Sequence, residues 1–334
     1  MNHSAKSLRN PRFFLMIALL MSRTAWADLR VPAEFEPVQA VVIGWREPLS
    51  ILKDISRALA EDSSVSVIAA DGPRQLADLP RDRYEPVDCP LNTIWIRDYG
   101  PIGIHSDTGQ VAFVDAVYRH FSSRRSDDRL PVCLAQKLDF PAVKTDLILD
   151  GGNFMTDSAG NLFMTNRTYS WNDRLPRAEV DERLKKIYGA QKIHVLEYAG
   201  SPRAPLDGTG HIDMFVKLLS PDTVLISEAE TEPFRSVFDA AAEYFRKIKT
   251  SDGRDYNVLR IGGWFSNGTW YTYTNSLLVN GLALVPEYSG ETEKNDQARA
   301  VYESAGFKVR MIPSDKSIVR GGSIHCVTQT VPSR

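Results

Sequence analysis

Apolar residues recur at three- and four-residue spacing in five separate stretches of this chain, and each stretch is flanked by short runs rich in β-branched residues. The spacing predicts helices over residues 48–62, 127–139, 178–188, 234–247 and 293–305; Val237, Ala240, Ala241, Tyr244 and Phe245 show the period most clearly. Strands are expected over 40–45, 65–69, 93–96, 111–114, 147–149, 162–165, 224–227, 273–279, 283–286 and 308–312. Five helix-plus-strands units predict an α/β chain built by repetition. The periods are uneven, so pattern alone leaves a five-bladed ring and a doubly wound sheet both open.

The sequence also excludes several classes of function. No Gly-x-Gly-x-x-Gly follows a strand and no Gly-x-x-x-x-Gly-Lys-Ser/Thr occurs, so nucleotide binding has no support. The Gly-x-Ser-x-Gly elbow of serine hydrolases is missing as well.

The first residues form a distinct segment. Lys6, Arg9 and Arg12 precede the apolar run 13–21, and Ala25-Trp26-Ala27 closes it, the three-part pattern of a signal peptide cut after Ala27. Residues 1–27 carry Lys6, Arg9, Arg12 and Arg23 and no acid, so their removal takes the formal net charge from −2 to −6. Residues 28–334 are then expected as one catalytic domain in the periplasm or outside the cell, with no later membrane span. Mild acidity argues against a nucleic-acid partner, which would need a basic stripe. Three cysteines in an oxidising compartment leave at least one unpaired. Cys89 and Cys133 could pair and leave Cys326 free, or all three could be buried thiols.

Polar clusters stand apart from this framework. In Trp95-Ile96-Arg97-Asp98-Tyr99-Gly100-Pro101 a strand is expected to run into a charged pair and a Gly-Pro turn, with Asp98 able to accept a guanidinium fork. Taken alone, Arg97 and Asp98 also fit a surface ion pair. Asp150-Gly151-Gly152-Asn153 reads as a tight turn whose carboxylate could take the ring N–H of His211. The two-residue spacing of His211 and Asp213 puts both on one face of an extended strand, with glycines before them that admit a ligand. Cys326, after Gly321-Gly322-Ser323-Ile324-His325, is a candidate nucleophile; His325, next to it, would face the other way, which leaves His211 as the better base.

Together these clusters resemble the agmatine deiminase and bacterial peptidylarginine deiminase family of the guanidine-modifying superfamily. The likeness runs in order through the Trp95–Pro101 motif, Gly151-Gly152-Asn153-Phe154-Met155-Thr156-Asp157, Gly210-His211-Ile212-Asp213, Tyr273-Thr274-Asn275-Ser276-Leu277 and Gly321–Cys326. It implies the pentein fold, a five-fold pseudo-symmetric α/β propeller with its site in the central channel. By the same resemblance Cys326 is the nucleophile, His211 the acid and base, and Asp98 with Asp213 the guanidinium clamp. Trp95 packs on the substrate chain and Asn275 lines the site near the cysteine. No cofactor or metal is implied.

The expected partners are arginine in peptides or proteins, giving citrulline, with agmatine as the alternative. In the peptidylarginine relative an arginine pair holds the substrate carboxylate, and the corresponding stretch here offers Arg119, Arg124 and Arg125. Export favours peptides; the Cys326 ending is more like the agmatine enzymes. Two other classes compete: a secreted cysteine peptidase using His211, Asn275 and Cys326, and a metal-binding protein with His211, Asp213 and Cys326 as ligands.

Overall fold

The computed structural model describes residues 29–76, 79–106, 109–118 and 122–333. The expected signal segment and Arg119 lie outside these residues. All five expected helices are present, as Leu49–Asp62, Leu130–Leu138, Arg177–Tyr188, Phe234–Lys247 and Thr292–Ser304, the second preceded by the short helix Arg125–Asp128.

Five sheets repeat one strand order: an antiparallel pair, then a parallel strand reached through a helix. In the first, Thr328–Pro332 lies antiparallel to Val38–Gly44, which is parallel to Ser66–Ala70 and, beyond it, Tyr84–Val87. The second is Ile102–His105, Val111–Val117 and Ala142–Ile148; the third is Met155–Thr156, Asn161–Thr165 and Lys192–Leu196. The fourth is Val216–Ser220, Thr223–Glu228 and Asn257–Gly262; the fifth is Leu277–Val279, Leu282–Glu287 and Lys308–Pro313. A parallel pair needs a crossover of a dozen or more residues, which is what each helix supplies. Phe234–Lys247 shows how the crossovers are held: Phe234, Phe238, Ala241, Ala242 and Phe245 are buried along one face. Burying each phenylalanine is worth roughly 1.5–3 kcal/mol relative to leaving it exposed.

The segments that lead from one sheet to the next carry the polar motifs. Trp95–Pro101 lies between the first and second sheets, Asp150–Asn153 between the second and third, and His211–Asp213 between the third and fourth. Asn275 precedes the fifth sheet, and Cys326 lies between the fifth and the returning strand Thr328–Pro332.

Two expected strands are corrected. Residues 93–96 form no strand; Trp95 caps a short helix, Ile96–Tyr99, whose Gly100 N–H closes back on the Ile96 carbonyl at 2.7 Å. Of 273–279 only Leu277–Val279 is strand. Thr272, Thr274, Asn275 and Ser276 are fully buried, and their side chains compete with a ladder: Thr272 Oγ1 takes the Thr274 N–H at 3.1 Å. Several edge strands carry charges in their pattern, Asn257–Gly262 and Lys192–Leu196 among them, and gave no clean alternation. Cys89 and Cys133 form a disulfide, with their Cα atoms 5.9 Å apart, and Cys326 is the free, buried thiol. No described helix is long and apolar enough to cross a membrane.

Candidate active site

Backbone hydrogen bonds bring three of the motifs together. The Arg97 N–H donates to the Cys326 carbonyl at 3.1 Å, and the His325 N–H donates to the Asn275 carbonyl at 3.1 Å. Asn153 makes a third link: its Oδ1 accepts from the Thr165 N–H at 2.9 Å and the Ile212 N–H at 3.1 Å, tying the Gly-Gly-Asn turn to the histidine segment. That segment is not extended as expected. His211 caps a short 3-10 turn, Ile212–Met214, after Gly210 at φ +72°, and Asp207 Oδ1 takes the Gly210 and Thr209 N–H groups at 2.6 and 2.8 Å. The turn does what the strand was expected to do, because it keeps His211 and Asp213 in one site.

The side chains converge on one point. His211 Nε2 is 3.0 Å from Asp150 Oδ2, and its Nδ1 is 3.6 Å from Asp98 Oδ1. Asn275 Nδ2 lies 3.2 Å from Cys326 Sγ, and Asp213 Oδ2 lies 3.7 Å from it. His211 Nδ1, Asp98 Oδ1 and Asp213 Oδ1 are buried without a hydrogen-bond partner. Each such atom costs free energy unless a ligand satisfies it. Gly152 borders this point: a β-carbon there would stand 2.8 Å from His211 Nδ1, 3.0 Å from Asp98 Oδ1 and 3.1 Å from Asp213 Oδ2. Gly322 does the same for the sulfur, at 2.6 Å from Cys326 Sγ and 3.1 Å from the Trp95 ring.

The electrostatics suit an absent cation. Burial raises the Asp98 carboxyl, with Asp150 and Asp213 adding to the rise and His211 opposing it. Burial pulls His211 down, but Asp98, Asp150 and Asp213 together hold it above the ordinary imidazole range. Asp213 is kept low despite burial by His325, His211 and Arg97. Burial, then Asp213 and Asp98, pushes the Cys326 thiol well up, against the Asn275 hydrogen bond. A bound cation between the carboxylates would lower both the Asp98 carboxyl and the Cys326 thiol.

Arg97 is not the partner of Asp98. It is buried, and its guanidinium reaches Glu34 Oε2 at 3.4 Å and Gln329 Oε1 at 2.8 Å. Among the arginines offered for a substrate carboxylate, Arg124 reaches Tyr118 OH at 2.7 Å and its charge acts on Asp98. Arg125 is exposed at the start of its helix. Asn275 bonds to the sulfur and Asp150 to His211, the reverse of what a cysteine peptidase would ask of its asparagine. Among the described residues, no group of three or more His, Cys, Asp or Glu side chains is placed to hold a metal ion. The sequence pattern did not show Glu34 or Lys217, which sit behind the site, or the part played by Gly152 and Gly322.

Fold and site define a guanidine-modifying α/β enzyme of the pentein class. The sequence profile of the Porphyromonas-type peptidyl-arginine deiminase family matches residues 30–332, and the chain belongs to that family, hydrolases of C–N amidine bonds. Among its relatives, the agmatine deiminase of Medicago truncatula is 24% identical, the match covering 91% of this chain and 96% of that one. The agmatine deiminase of Pseudomonas aeruginosa is 23% identical, over 91% and 95%. The solved structure of the Enterococcus faecalis agmatine deiminase superposes with a TM-score of 0.79 at 21% identity, covering 92% of this chain and 96% of that one.

Proposed function

We propose that this enzyme converts the guanidinium of agmatine into a ureido group, releasing ammonia and N-carbamoylputrescine. One observation carries the deiminase chemistry: Asp98 Oδ1, His211 Nδ1 and Asp213 Oδ2 border one point beside Gly152, and Asp213 Oδ2 is 3.7 Å from Cys326 Sγ. A planar cation placed there satisfies both carboxylates and presents its carbon to sulfur. Its charge also offsets the two anions that keep the thiol protonated, so the substrate itself promotes thiolate formation.

Addition of the thiolate to the guanidinium carbon gives a tetrahedral adduct. His211 delivers a proton from Nδ1, the nitrogen not engaged by Asp150, to the departing nitrogen of the adduct, whose C–N bond breaks to release ammonia and leave a covalent thiouronium. Neutral His211 then takes a proton from water, the hydroxide adds to the same carbon, and the ureido product departs as the Cys326 thiolate is released. The five sheets, with one polar segment between each and the next, support the five-fold pseudo-symmetric propeller and a central site. Export rests on the sequence of residues 1–27.

Agmatine is preferred because the named relatives that cover nine-tenths of the chain are agmatine deiminases. Arginine at a peptide C-terminus is the second reading, favoured by Arg124 beside Tyr118 and Asp98 and by the family's own description. A panel of agmatine, free arginine and peptides with internal or C-terminal arginine, assayed for ureido product, decides between them. A higher kcat/KM for the peptide, lost in Arg124→Ala, would replace agmatine with peptidyl-arginine.

A further inference from the structure

Val31, Pro32 and Glu34 border a cavity on the Arg97 and His325 side of the site. Thr156 Oγ1 donates to the Val31 carbonyl at 2.9 Å, Arg30 pairs with Glu36, and Glu34 turns inward into a cavity it shares with Arg97, Lys217, His325 and Gln329. Glu34 is held from several directions. Its Oε1 accepts from Lys217 Nζ and from the Leu278 N–H at 2.8 Å, and its Oε2 lies 2.6 Å from His325 Nε2 and 3.4 Å from Arg97. Lys217 is buried in a strand and also donates to the Ser276 carbonyl at 2.7 Å.

His325 therefore stands between two carboxylates, Glu34 at Nε2 and Asp213 Oδ2 at Nδ1, the latter at 2.7 Å. Ionised carboxylates only accept, so each ring nitrogen has to donate, and an imidazole with both nitrogens donating is a cation. Arg97 donates to the His325 carbonyl, Lys217 donates to Glu34, Cys326 lies beside Asp213, and the charge of His211 also acts on Asp213. The oxygen of Asp213 that faces the cysteine and the Gly152 point is the one His325 grips.

We propose that Glu34 is a positioning residue: by keeping both nitrogens of His325 protonated, it makes Asp213 face Cys326 as a compensated anion and so lets the thiolate form beside it. The proposal rests on the deiminase reading for its meaning in turnover, but its chemistry is measurable without turnover. A glutamine at this position can keep its carbonyl on Lys217 and Leu278 while its amide faces His325. The ring must then accept at Nε2 and become neutral. Asp213, 3.7 Å from the sulfur, then keeps the Nδ1 hydrogen bond but loses the positive charge behind it.

The test compares the parent with Glu34→Gln, His325→Gln and the double variant. Nitrogen spectra of labelled histidine, with the His325 signals assigned by their loss in His325→Gln, are expected to show that ring doubly protonated in the parent and singly protonated in Glu34→Gln. Alkylation of Cys326 by iodoacetamide should move to higher pH in Glu34→Gln and in His325→Gln, with the double variant shifted no further than the larger single shift. In turnover kcat falls on the order of tenfold while KM does not rise. An unmoved alkylation profile in both single variants, or shifts that add in the double, overturns the proposal. Should Glu34→Gln fail to fold, the parent's ring spectrum and the His325→Gln profile decide alone. A parent inactive on every guanidine but showing these shifts would defeat the deiminase reading and leave this one standing.

Discussion

Asn275 presents its amide nitrogen, not its oxygen, to Cys326: Nδ2 is 3.2 Å from the sulfur, while Oδ1 accepts the Ser323 N–H at 2.9 Å. The orientation is therefore set by a backbone donor, and the thiolate receives a fixed hydrogen bond as it forms. Asn275→Ala should lower kcat by roughly ten- to a hundredfold, in the range expected for loss of one preorganised donor. Asn275→Asp should be worse, because it adds an anion next to the sulfur. Steady-state kinetics on both variants, with circular dichroism to confirm folding, checks this; a kcat in Asn275→Asp equal to that of Asn275→Ala would remove the electrostatic argument.

Neighbouring glycines should fail in different ways. A β-carbon on Gly151 would lie 2.1 Å from the Arg97 carbonyl oxygen, a backbone atom that cannot step aside, so Gly151→Ala destabilises the fold and lowers Tm. On Gly152 it meets the three polar groups where the guanidinium is proposed to sit, so Gly152→Ala should keep most of its Tm and lose activity. Equal loss of Tm in the two variants would contradict this division.

The pH profile gives a third expectation. Asp98 must be ionised to hold the cation, and its carboxyl is raised by burial with help from Asp150 and Asp213. The acid limb of kcat/KM should therefore lie above the range of an ordinary carboxyl. His211 must be protonated to release ammonia, and Asp98 and Asp150 are what hold it up. Asp150→Asn removes a like charge from Asp98 and a supporting charge from His211, so both limbs move to lower pH. Limbs that stay in place in Asp150→Asn would show that these groups are not the ones titrating.

The disulfide offers a test of stability apart from chemistry. Cys89 and Cys133 are 44 residues apart, and closing a loop of that length is worth at most about 4 kcal/mol by the chain-entropy relation. The Cys89→Ser/Cys133→Ser variant should unfold at lower denaturant concentration by up to that amount. Nearby, Asp127 Oδ1 takes the Asn92 N–H at 2.7 Å and so also anchors the segment leading to Trp95 and Asp98. Activity in the folded variant should therefore stay near that of the parent, and a tenfold loss of kcat without unfolding would mean the disulfide orders the site itself.

Much of this architecture was legible in sequence because helix faces are long and periodic. Leu49–Asp62 and Phe234–Lys247 were placed to within a residue. The short elements around the site were not, because local side-chain bonding overrides propensity there. The buried threonines 272 and 274 broke an expected strand, and Asp207 with Gly210 turned an expected strand into a 3-10 turn. The motifs pointed to Asp98, Asp150, His211, Asp213, Asn275 and Cys326, which the structure brings together. Glu34 gave no signal, since nothing in Pro32-Ala33-Glu34-Phe35 says that its carboxylate will be swallowed by residues hundreds of positions away. His325 was set aside as facing away from the sulfur, and the site explains its place differently, as the residue behind Asp213.

The first sheet borrows its outer strand from beyond Cys326, with Val41 opposite Thr330 and Ile43 opposite Thr328. During synthesis Val38–Gly44 leaves the ribosome nearly the whole chain before Thr328–Pro332 exists to cover it. Five of its seven residues end up in the core without a break, so the nascent protein carries a bare, sticky strand edge for most of its elongation. That edge stays without its antiparallel partner until the strand after the nucleophile is made. The same late pairing places the cysteine, so a nascent chain remains chemically inert until that last strand docks.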